Sequence, residues 1–457
     1  MINSAKLSSG LRLIVLLAVF TAEAGCRRAE VQRGNDEALG KLHRVAGIGA
    51  DAGIRAAISL DASMDDRGVV TVCWMEQRGT ARGLWWTEIR NADSEKPRAS
   101  TPELIDQGAL ASPHLVTQGS RTWLGYLKDG VIRLYEHNRP DDARLPLVVS
   151  SNSELLLSMT VRAIEGGLEF AALGLPTFRQ VAERAPWLFL YRTTIAGTDR
   201  VGFGPLPVAT PTELPDPAFL TNAHGVRVLC ALPGIILDTL ATVPTLRVQA
   251  QNLTRFVLTG DRSILNGPRS IPAMDLNTSG FSAGSDVMSL RLSPTSPPIV
   301  LCEGTAVNVG VFEDTLVDNV AAFPALIPDT GVPGSSTAIA AISRTTAVLF
   351  WIDAADPPLV DPQSNLSFLK LLLNGRPSSG QVFGTLVRAV PTAGQAGLKY
   401  FRVAQPSLRA TCVATCVRAN SCLVLYTVPV ASGFSTNSAI WPGVFVQRFD
   451  TNRWPLR

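Results

Sequence analysis

The chain has 457 residues, of which 46% are hydrophobic and 17% are charged. Its 41 basic residues nearly balance its 38 acidic residues, and the arginines are scattered, which argues against a nucleic-acid-binding protein with a concentrated basic face. A chain this apolar can bury a large core, so the composition also excludes an intrinsically disordered protein.

The first 25 residues have the three parts of a signal peptide. Lys6 and Arg12 precede an unbroken apolar run at residues 13–20, and small residues follow that run. The run is shorter than the roughly 20 residues that a membrane-spanning helix needs. The segment therefore predicts export, and the alternative is a buried helix that begins the fold.

Two processing sites are compatible with this signal. The Ala-Glu-Ala sequence at residues 22–24 fits cleavage before Gly25 by the small-x-small rule. The sequence that ends at Cys26 resembles a bacterial lipobox, although Glu23 stands where that motif has an aliphatic residue. The lipobox resemblance implies that Cys26 becomes the lipid-carrying N-terminus of the mature protein.

The segment after Cys26 is polar and charged, which is typical of a flexible tether between a membrane and a domain. We therefore predict a tether at residues 26–48 and a folded domain at residues 49–457. The predicted location is the outer face of a bacterial membrane, the periplasm or the cell surface. The predicted membrane contact is the lipid on Cys26.

Beyond residue 45 the sequence is typical of an all-β protein. Short runs rich in Val, Ile, Leu, Thr and aromatic residues alternate with Gly, Pro, Asn and Asp, whereas apolar residues at helical spacing are scarce. Four groups of three such runs are the most regular. They lie at residues 54–60, 69–74 and 83–89; at 114–117, 122–127 and 131–136; at 338–343, 347–352 and 367–373; and at 408–414, 422–428 and 443–449.

Three less regular groups bring the number of units to seven, with starts roughly 45 to 70 residues apart, the spacing of propeller blades. They lie at residues 157–173 with 187–193, at 225–232 with 246–251, and at 287–292 with 300–302 and 307–312. A small sheet buries both of its faces only when it is stacked between others around an axis. Over about residues 50–450 the chain thus resembles β-propellers in general, which implies a seven-bladed β-propeller. Two β-sandwich domains are the alternative.

The motifs of several enzyme classes are missing or incomplete. A G-x-S-x-G sequence occurs at residues 280–284, but a polar segment precedes it, whereas a hydrolase nucleophile elbow follows a buried strand. All four histidines (His43, His114, His137 and His224) precede that serine, and none is spaced as a zinc-binding pair. The sequence therefore predicts no catalytic residue, no metal site and no cofactor.

The cysteines agree with export to an oxidising compartment. If Cys26 carries lipid, six of the seven cysteines remain, an even number. Cys412, Cys416 and Cys422 lie close together, and the segment before Cys422 reads as a hairpin turn. A hairpin would bring Cys412 or Cys416 opposite Cys422, so we predict a structural disulfide among these three, with free thiols as the alternative.

Carboxylates recur after the aromatic strand of several units. Glu76 follows Trp74, and Asp129 and Asp353 hold similar places in two other units. Such a repeat predicts a ring of carboxylates at the mouth of a propeller, which would bind a cation or a sugar, or pair for glycoside cleavage. The alternative is that each carboxylate is solvated at the end of a strand.

Together these features predict an exported, lipid-anchored binding or scaffold module of the cell envelope with a protein or glycan partner. A purely structural envelope component is one alternative. The other is a propeller enzyme that acts on glycosides through Glu76, Asp129 and Asp353. No nucleic-acid partner is expected.

Overall fold

In a computed structural model of the protein, every described secondary-structure element is a β-strand. The described residues are 39–47, 56–78, 81–137, 146–151, 153–176, 186–203, 216–222, 225–232, 235–240, 245–250, 255–259, 269–271, 287–290, 299–302, 307–311, 325–327, 336–353, 380–388, 400–403, 409–418, 421–429 and 443–450. The predicted signal peptide, Cys26 and the segment that contains the G-x-S-x-G sequence lie outside these ranges.

The strands form antiparallel sheets of neighbouring chain segments. Sheet 1 contains β2 (Ala56–Met64), β3 (Val70–Arg78), β4 (Ala81–Arg90), β5 (Arg98–Ala99) and β6 (Glu103–Gly108). Sheet 2 contains β7 (Leu110–Gln118), β8 (Arg121–Lys128), β9 (Val131–Glu136) and β10 (Leu147–Val148). Sheet 3 contains β11 (Glu154–Ile164), β12 (Gly167–Pro176), β13 (Trp187–Thr194) and β14 (Gly197–Phe203).

The second half of the chain repeats this pattern. Sheet 4 contains β15 (Ala218–Asn222), β16 (Gly225–Leu232), β17 (Ile235–Leu240), β18 (Thr245–Ala250), β19 (Arg255–Thr259) and β20 (Arg269–Ile271). Sheet 5 contains β21 (Val287–Leu290), β22 (Ile299–Cys302), β23 (Val307–Val311) and β24 (Ala325–Ile327). Sheet 6 contains β25 (Thr337–Ala341), β26 (Thr346–Asp353), β27 (Gln381–Arg388) and β28 (Tyr400–Arg402). Sheet 7 contains β29 (Cys412–Arg418), β30 (Ser421–Val428), β31 (Gly443–Asp450) and, from the other end of the chain, β1 (Leu39–Gly47).

The first strand of each sheet contacts the first strand of the next sheet along the chain. These contacts run from β2 to β7, β11, β15, β21, β25 and β29, and β29 in turn contacts β2. Small antiparallel sheets that meet through their first strands are the arrangement of a β-propeller, in which each sheet covers the faces of its neighbours. The all-β prediction and the general resemblance to β-propellers are thus confirmed.

Apolar side chains from facing sheets fill the space between them. Trp74 and Val72 of β3 pack against Leu425 and Val446 of sheet 7, whereas Cys73, on the opposite face of β3, packs against sheet 2. Similar cores lie between sheets 2 and 3 and between sheets 6 and 7. Because the second strand of a sheet is covered on both faces, its residues are apolar in nearly continuous runs rather than in alternation. All eight residues of β30 are buried.

The outer strand of sheet 7 lies within the predicted tether. Residues 39–47 form β1, which pairs antiparallel with β31 from Leu39 opposite Phe449 to Gly47 opposite Gly443. Ala46 is buried against sheet 1, and Leu42 packs on the core between sheets 6 and 7. The folded part therefore includes residues that the sequence assigned to a tether, because these polar residues lie on an outer strand with a largely solvated surface.

The most regular predicted units correspond closely to sheets. The runs predicted at residues 54–89 and 114–136 become the first three strands of sheets 1 and 2. In sheet 6 the third strand is β27, whereas the run predicted at residues 367–373 lies outside the described residues. In sheet 7 the first strand begins four residues later than predicted, at Cys412.

Candidate functional site

The three predicted ring carboxylates hold equivalent places at the ends of second strands, but their surroundings differ. Glu76 lies near the end of β3 and is only 1% exposed. The indole Nε1–H of Trp74 donates a hydrogen bond to Glu76 Oε1 at 2.9 Å. The Glu76 carboxylate thus satisfies a buried indole inside the sheet, which is a structural role.

Asp129 is exposed in the turn between β8 and β9. Its φ of 54° is in the left-handed region, which Asp tolerates better than most residues because its short side chain can bond locally. Asp353 is the last residue of β26, and its side chain lies outside the described part of the structure. The ring of carboxylates therefore stays a prediction. One of its three members, Glu76, is buried and bonded to Trp74.

The predicted disulfide among Cys412, Cys416 and Cys422 is not present, since all three are buried thiols outside any disulfide. Cys416 lies opposite Leu423, and Cys422 lies opposite Val417. The Cys412 and Cys416 side chains therefore enter the core toward sheet 1, whereas Cys422 enters the core toward sheet 6. Cys412 and Cys416 themselves are about 13 Å apart along one strand, which is beyond the reach of a disulfide.

These thiols are expected to resist alkylation in the folded protein. Burial raises the pKa of Cys422 to about 12 and raises that of Cys416 further. Both remain protonated from neutral pH up to mildly alkaline pH, and the reactive species is the thiolate. Modification by iodoacetamide at pH 8 should be at least about 100-fold slower than in urea, because access requires opening of the fold. Mass spectrometry of tryptic peptides measures this ratio for each cysteine, and rapid native labelling of Cys422 would contradict the burial.

A cluster of polar side chains that the sequence did not indicate joins the first strands of sheets 1 to 4. It consists of Asp61 on β2, Ser112 and His114 on β7, and Asp216 just before β15. A β-bulge between Ala111 and His114 places Ser112 and His114 in this cluster, and Ser112 has a φ of 47°. Bulges of this kind re-aim side chains and leave backbone groups for other partners.

Asp61 links sheet 1 to sheet 2. Its Oδ2 accepts a hydrogen bond from the backbone N–H of Leu115 at 2.7 Å, and its Oδ1 accepts one from the N–H of Ala62 at 2.8 Å. Desolvation by burial raises the pKa of the Asp61 carboxyl, while the charge of His114 and the two N–H donors lower it in part. Asp61 thus serves as an acceptor for a backbone group of the neighbouring sheet.

Asp216 links sheets 2, 3 and 4. Its Oδ1 accepts hydrogen bonds from Ser112 Oγ at 2.5 Å and from the backbone N–H of Met159 at 3.2 Å. Its Oδ2 lies 3.1 Å from Nε2 of His114. The side chains of His114 and Asp216 are 28% and 23% exposed, so the cluster is accessible in part to water.

The geometry of this cluster decides what it can do chemically. Ser112 donates its hydroxyl proton to the carboxylate of Asp216, whereas an activated serine donates it to an imidazole. The carboxylates of Asp61 and Asp216 each accept hydrogen bonds from at least one backbone N–H of an adjacent strand. The cluster therefore holds the first strands of neighbouring sheets together across sheet boundaries through hydrogen bonds to Asp61 and Asp216.

His137 lies in a second polar group, so it does not meet His114. Its ring stacks on Trp86, with centroids 5.5 Å apart, and its two nitrogens lie 3.7 Å from Glu88 and 3.9 Å from Glu103. Both glutamates belong to sheet 1, so this group joins the outer strands of sheets 1 and 2. Within the described ranges, no set of three or more His, Cys, Asp or Glu side chains is arranged to hold a metal ion.

No family model and no curated protein matches this sequence. Solved structures that are similar to this chain include an α-L-arabinanase from Penicillium chrysogenum, at 10% identity and a TM-score of 0.39, covering 91% of this chain and 99% of that one. The WD40 domain of SCAP from fission yeast is 7% identical, with a TM-score of 0.39 and coverage of 91% and 98%. Sqt1 from Chaetomium thermophilum is 10% identical, with a TM-score of 0.40 and coverage of 90% and 98%. These likenesses transfer no activity or partner to this chain.

Among the described residues, none belongs to a helix long and apolar enough to cross a bilayer.

Proposed function

We propose that this chain is a binding or scaffold propeller of the bacterial cell envelope, exported through its signal peptide and held at a membrane by lipid on Cys26. Its partner is a protein or a glycan. The observation that carries the proposal is the use of carboxylates within the fold. Glu76 satisfies an indole, and Asp61 and Asp216 accept hydrogen bonds from backbone groups of adjacent sheets. In such a propeller the polar side chains hold the sheets together. The sheets then form a fixed framework from which loops contact a partner.

The proposed ring has seven blades, corresponding to sheets 1 to 7. Contacts between successive first strands, including β29 with β2, support this number. The pairing of β1 with β31 supports closure, because it joins the two ends of the chain within one sheet. A closed ring covers the sheet faces of every blade and leaves only short, protected sheet edges, which favours a stable module.

The alternative function is a propeller enzyme that cleaves glycosides. Such an enzyme needs two carboxyl groups that face one substrate, one as a proton donor and one as a base or nucleophile. Of the three candidates, Glu76 is buried on an indole and Asp129 is exposed in a tight turn. Glu76 and Asp129 thus lie in different surroundings and do not form the required pair, which favours a binding function over glycoside cleavage.

Two measurements on the full chain test the proposal. Metabolic labelling with an alkyne fatty acid should mark the wild type and a Cys230→Ala control, whereas Cys26→Ala should lose the label. Equal labelling of the wild type and Cys26→Ala would exclude the lipid anchor.

In the second measurement, purified wild type and the triple variant Glu76→Gln, Asp129→Asn, Asp353→Asn should give the same background rate of hydrolysis of aryl glycosides and cell-wall polysaccharides. Turnover by the wild type that the triple variant lacks would favour the enzyme.

A further inference from the structure

Hairpins between the first and second strands of several sheets lie on one face of the domain. This hairpin face is defined by the turns at residues 65–68, 118–121, 164–167 and 342–345 and by the paired strand ends Arg418 and Ser421. Hydrogen bonds join three neighbouring pairs of these turns directly. Arg418 donates to the carbonyl of Arg67 at 3.3 Å, and the N–H of Asp66 donates to the carbonyl of Gly119 at 3.2 Å. The side chain of Gln118 reaches the turn of sheet 3.

The opposite face, here called the strand-entry face, is where the first strands of the sheets begin. Ala109 precedes β7 on this face, and its carbonyl accepts a hydrogen bond at 3.0 Å from the N–H of Asp129. The ends of the second strands also lie here, including Glu76 and Asp353. Strands of about eight residues separate the two faces by about 25 Å.

The N-terminal strand enters the domain at the hairpin face. In sheet 7, Arg418 pairs with Ser421, and Ser421 pairs with Asp450. Leu39, the first residue of β1, pairs with Phe449, which precedes Asp450 in the chain. Whatever precedes Leu39 therefore joins the domain at the same face as the linked hairpins.

We infer that the hairpin face lies toward the membrane and that the strand-entry face points away from it. This inference rests on the proposed lipid on Cys26. About 13 residues separate Cys26 from Leu39, so the link spans at most about 45 Å even when fully extended. A random-coil link of this length has an r.m.s. end-to-end distance of roughly 20 Å, which is shorter than the separation of about 25 Å between the two faces. The link therefore favours the face at which it joins the domain.

The hairpins of sheets 6 and 7 present exposed arginines, whereas those of sheets 1 and 3 present the exposed carboxylates of Asp66 and Glu165. Arg344 is exposed at the hairpin of sheet 6, and Arg418 is exposed at the hairpin of sheet 7, where one of its nitrogens also donates to the carbonyl of Arg67. Guanidinium groups form strong, paired hydrogen bonds with phosphate groups such as those of phospholipids. Arg67 and Arg121 occupy other hairpins, where they pair with carboxylates of their own sheets.

Energy transfer to a labelled membrane tests the orientation. The lipidated full chain carries a fluorophore, attached through p-azidophenylalanine, at position 196 or position 109. Both positions hold exposed alanines. Ala196 follows Thr194, which pairs with Gly167, so it lies on the hairpin face. Each protein is reconstituted on vesicles of phosphatidylethanolamine and phosphatidylglycerol that contain a headgroup acceptor dye.

Transfer from position 196 should exceed transfer from position 109 at least about twofold, because the two faces differ in height by about 25 Å. Flotation of each sample with the vesicles shows whether the protein is attached. Flotation with equal transfer, or with stronger transfer from position 109, overturns the orientation alone. A wild type that floats no better than Cys26→Ala overturns the anchor, and the orientation with it.

Discussion

Replacing Trp86 by alanine should lower the free energy of unfolding by about 3–5 kcal/mol, the usual cost of deleting a buried tryptophan side chain. Trp86 is 1% exposed and belongs to the core between sheets 1 and 2. It meets the edge of Tyr135 at a centroid distance of 5.7 Å and stacks on His137. The variant loses these contacts and leaves a cavity at a sheet boundary that the surrounding structure closes only in part.

Trp85 provides a matched control, because it precedes Trp86 on the same strand and points to the other face of sheet 1. It is only partly buried and stacks on Trp74 at 6.4 Å. Trp85→Ala should cost roughly 1–2 kcal/mol, since less apolar area is removed from the core. Urea unfolding followed by circular dichroism measures both values. Equal losses for the two variants would mean that the boundary between sheets 1 and 2 is not a packed core.

The sequence indicates strands best where both faces of a strand are buried. The runs at residues 69–74 and 122–127 are apolar because β3 and β8 each lie between two other sheets, and this burial leaves a clear pattern. Outer strands such as β14 carry polar and glycine residues that resemble loops. β1 resembles a tether for the same reason, because its partner β31 lies some 400 residues away and no local pattern records that pairing.

The cysteine prediction failed because of strand register. The hairpin between β29 and β30 was predicted correctly, and Cys416 and Cys422 do lie on adjacent strands. Side chains alternate between the faces of a strand, so a shift of one residue in the turn exchanges which residues share a face. The sequence does not specify that shift, and the actual register directs the two thiols into different cores.

The cluster at the first strands was missed for a different reason. Asp61 directly follows the predicted strand run at residues 54–60, and Asp216 lies in the proline-rich segment at residues 202–217, which reads as a loop. Their partners come from other sheets, and the distance along the chain from Ser112 to Asp216 is 104 residues. A motif search detects residues that are close in sequence, whereas this cluster is assembled by contacts between different sheets.

Replacing Asp216 by alanine should destabilise the protein by about 2–4 kcal/mol, because it leaves several donors without their charged acceptor. The backbone N–H of Met159, the hydroxyl of Ser112 and the imidazole of His114 all depend on this carboxylate. Partial exposure allows water to replace some of these bonds, which keeps the loss below that of a fully buried ion pair. Asp216→Asn retains one carbonyl oxygen and should lose less.

Asp199→Ala is the control for removing a carboxylate from the surface. Asp199 lies exposed on the outer strand β14, so its replacement should change stability by about 0.5 kcal/mol or less. A double-mutant cycle of Asp216→Ala with Ser112→Ala, measured by urea unfolding, should show a coupling of about 0.5–3 kcal/mol. Additive losses in that cycle would show that the two side chains act independently. In that case the cohesion of sheets 2 to 4 would depend on apolar packing and backbone pairing, and the cluster would be free for a role in binding.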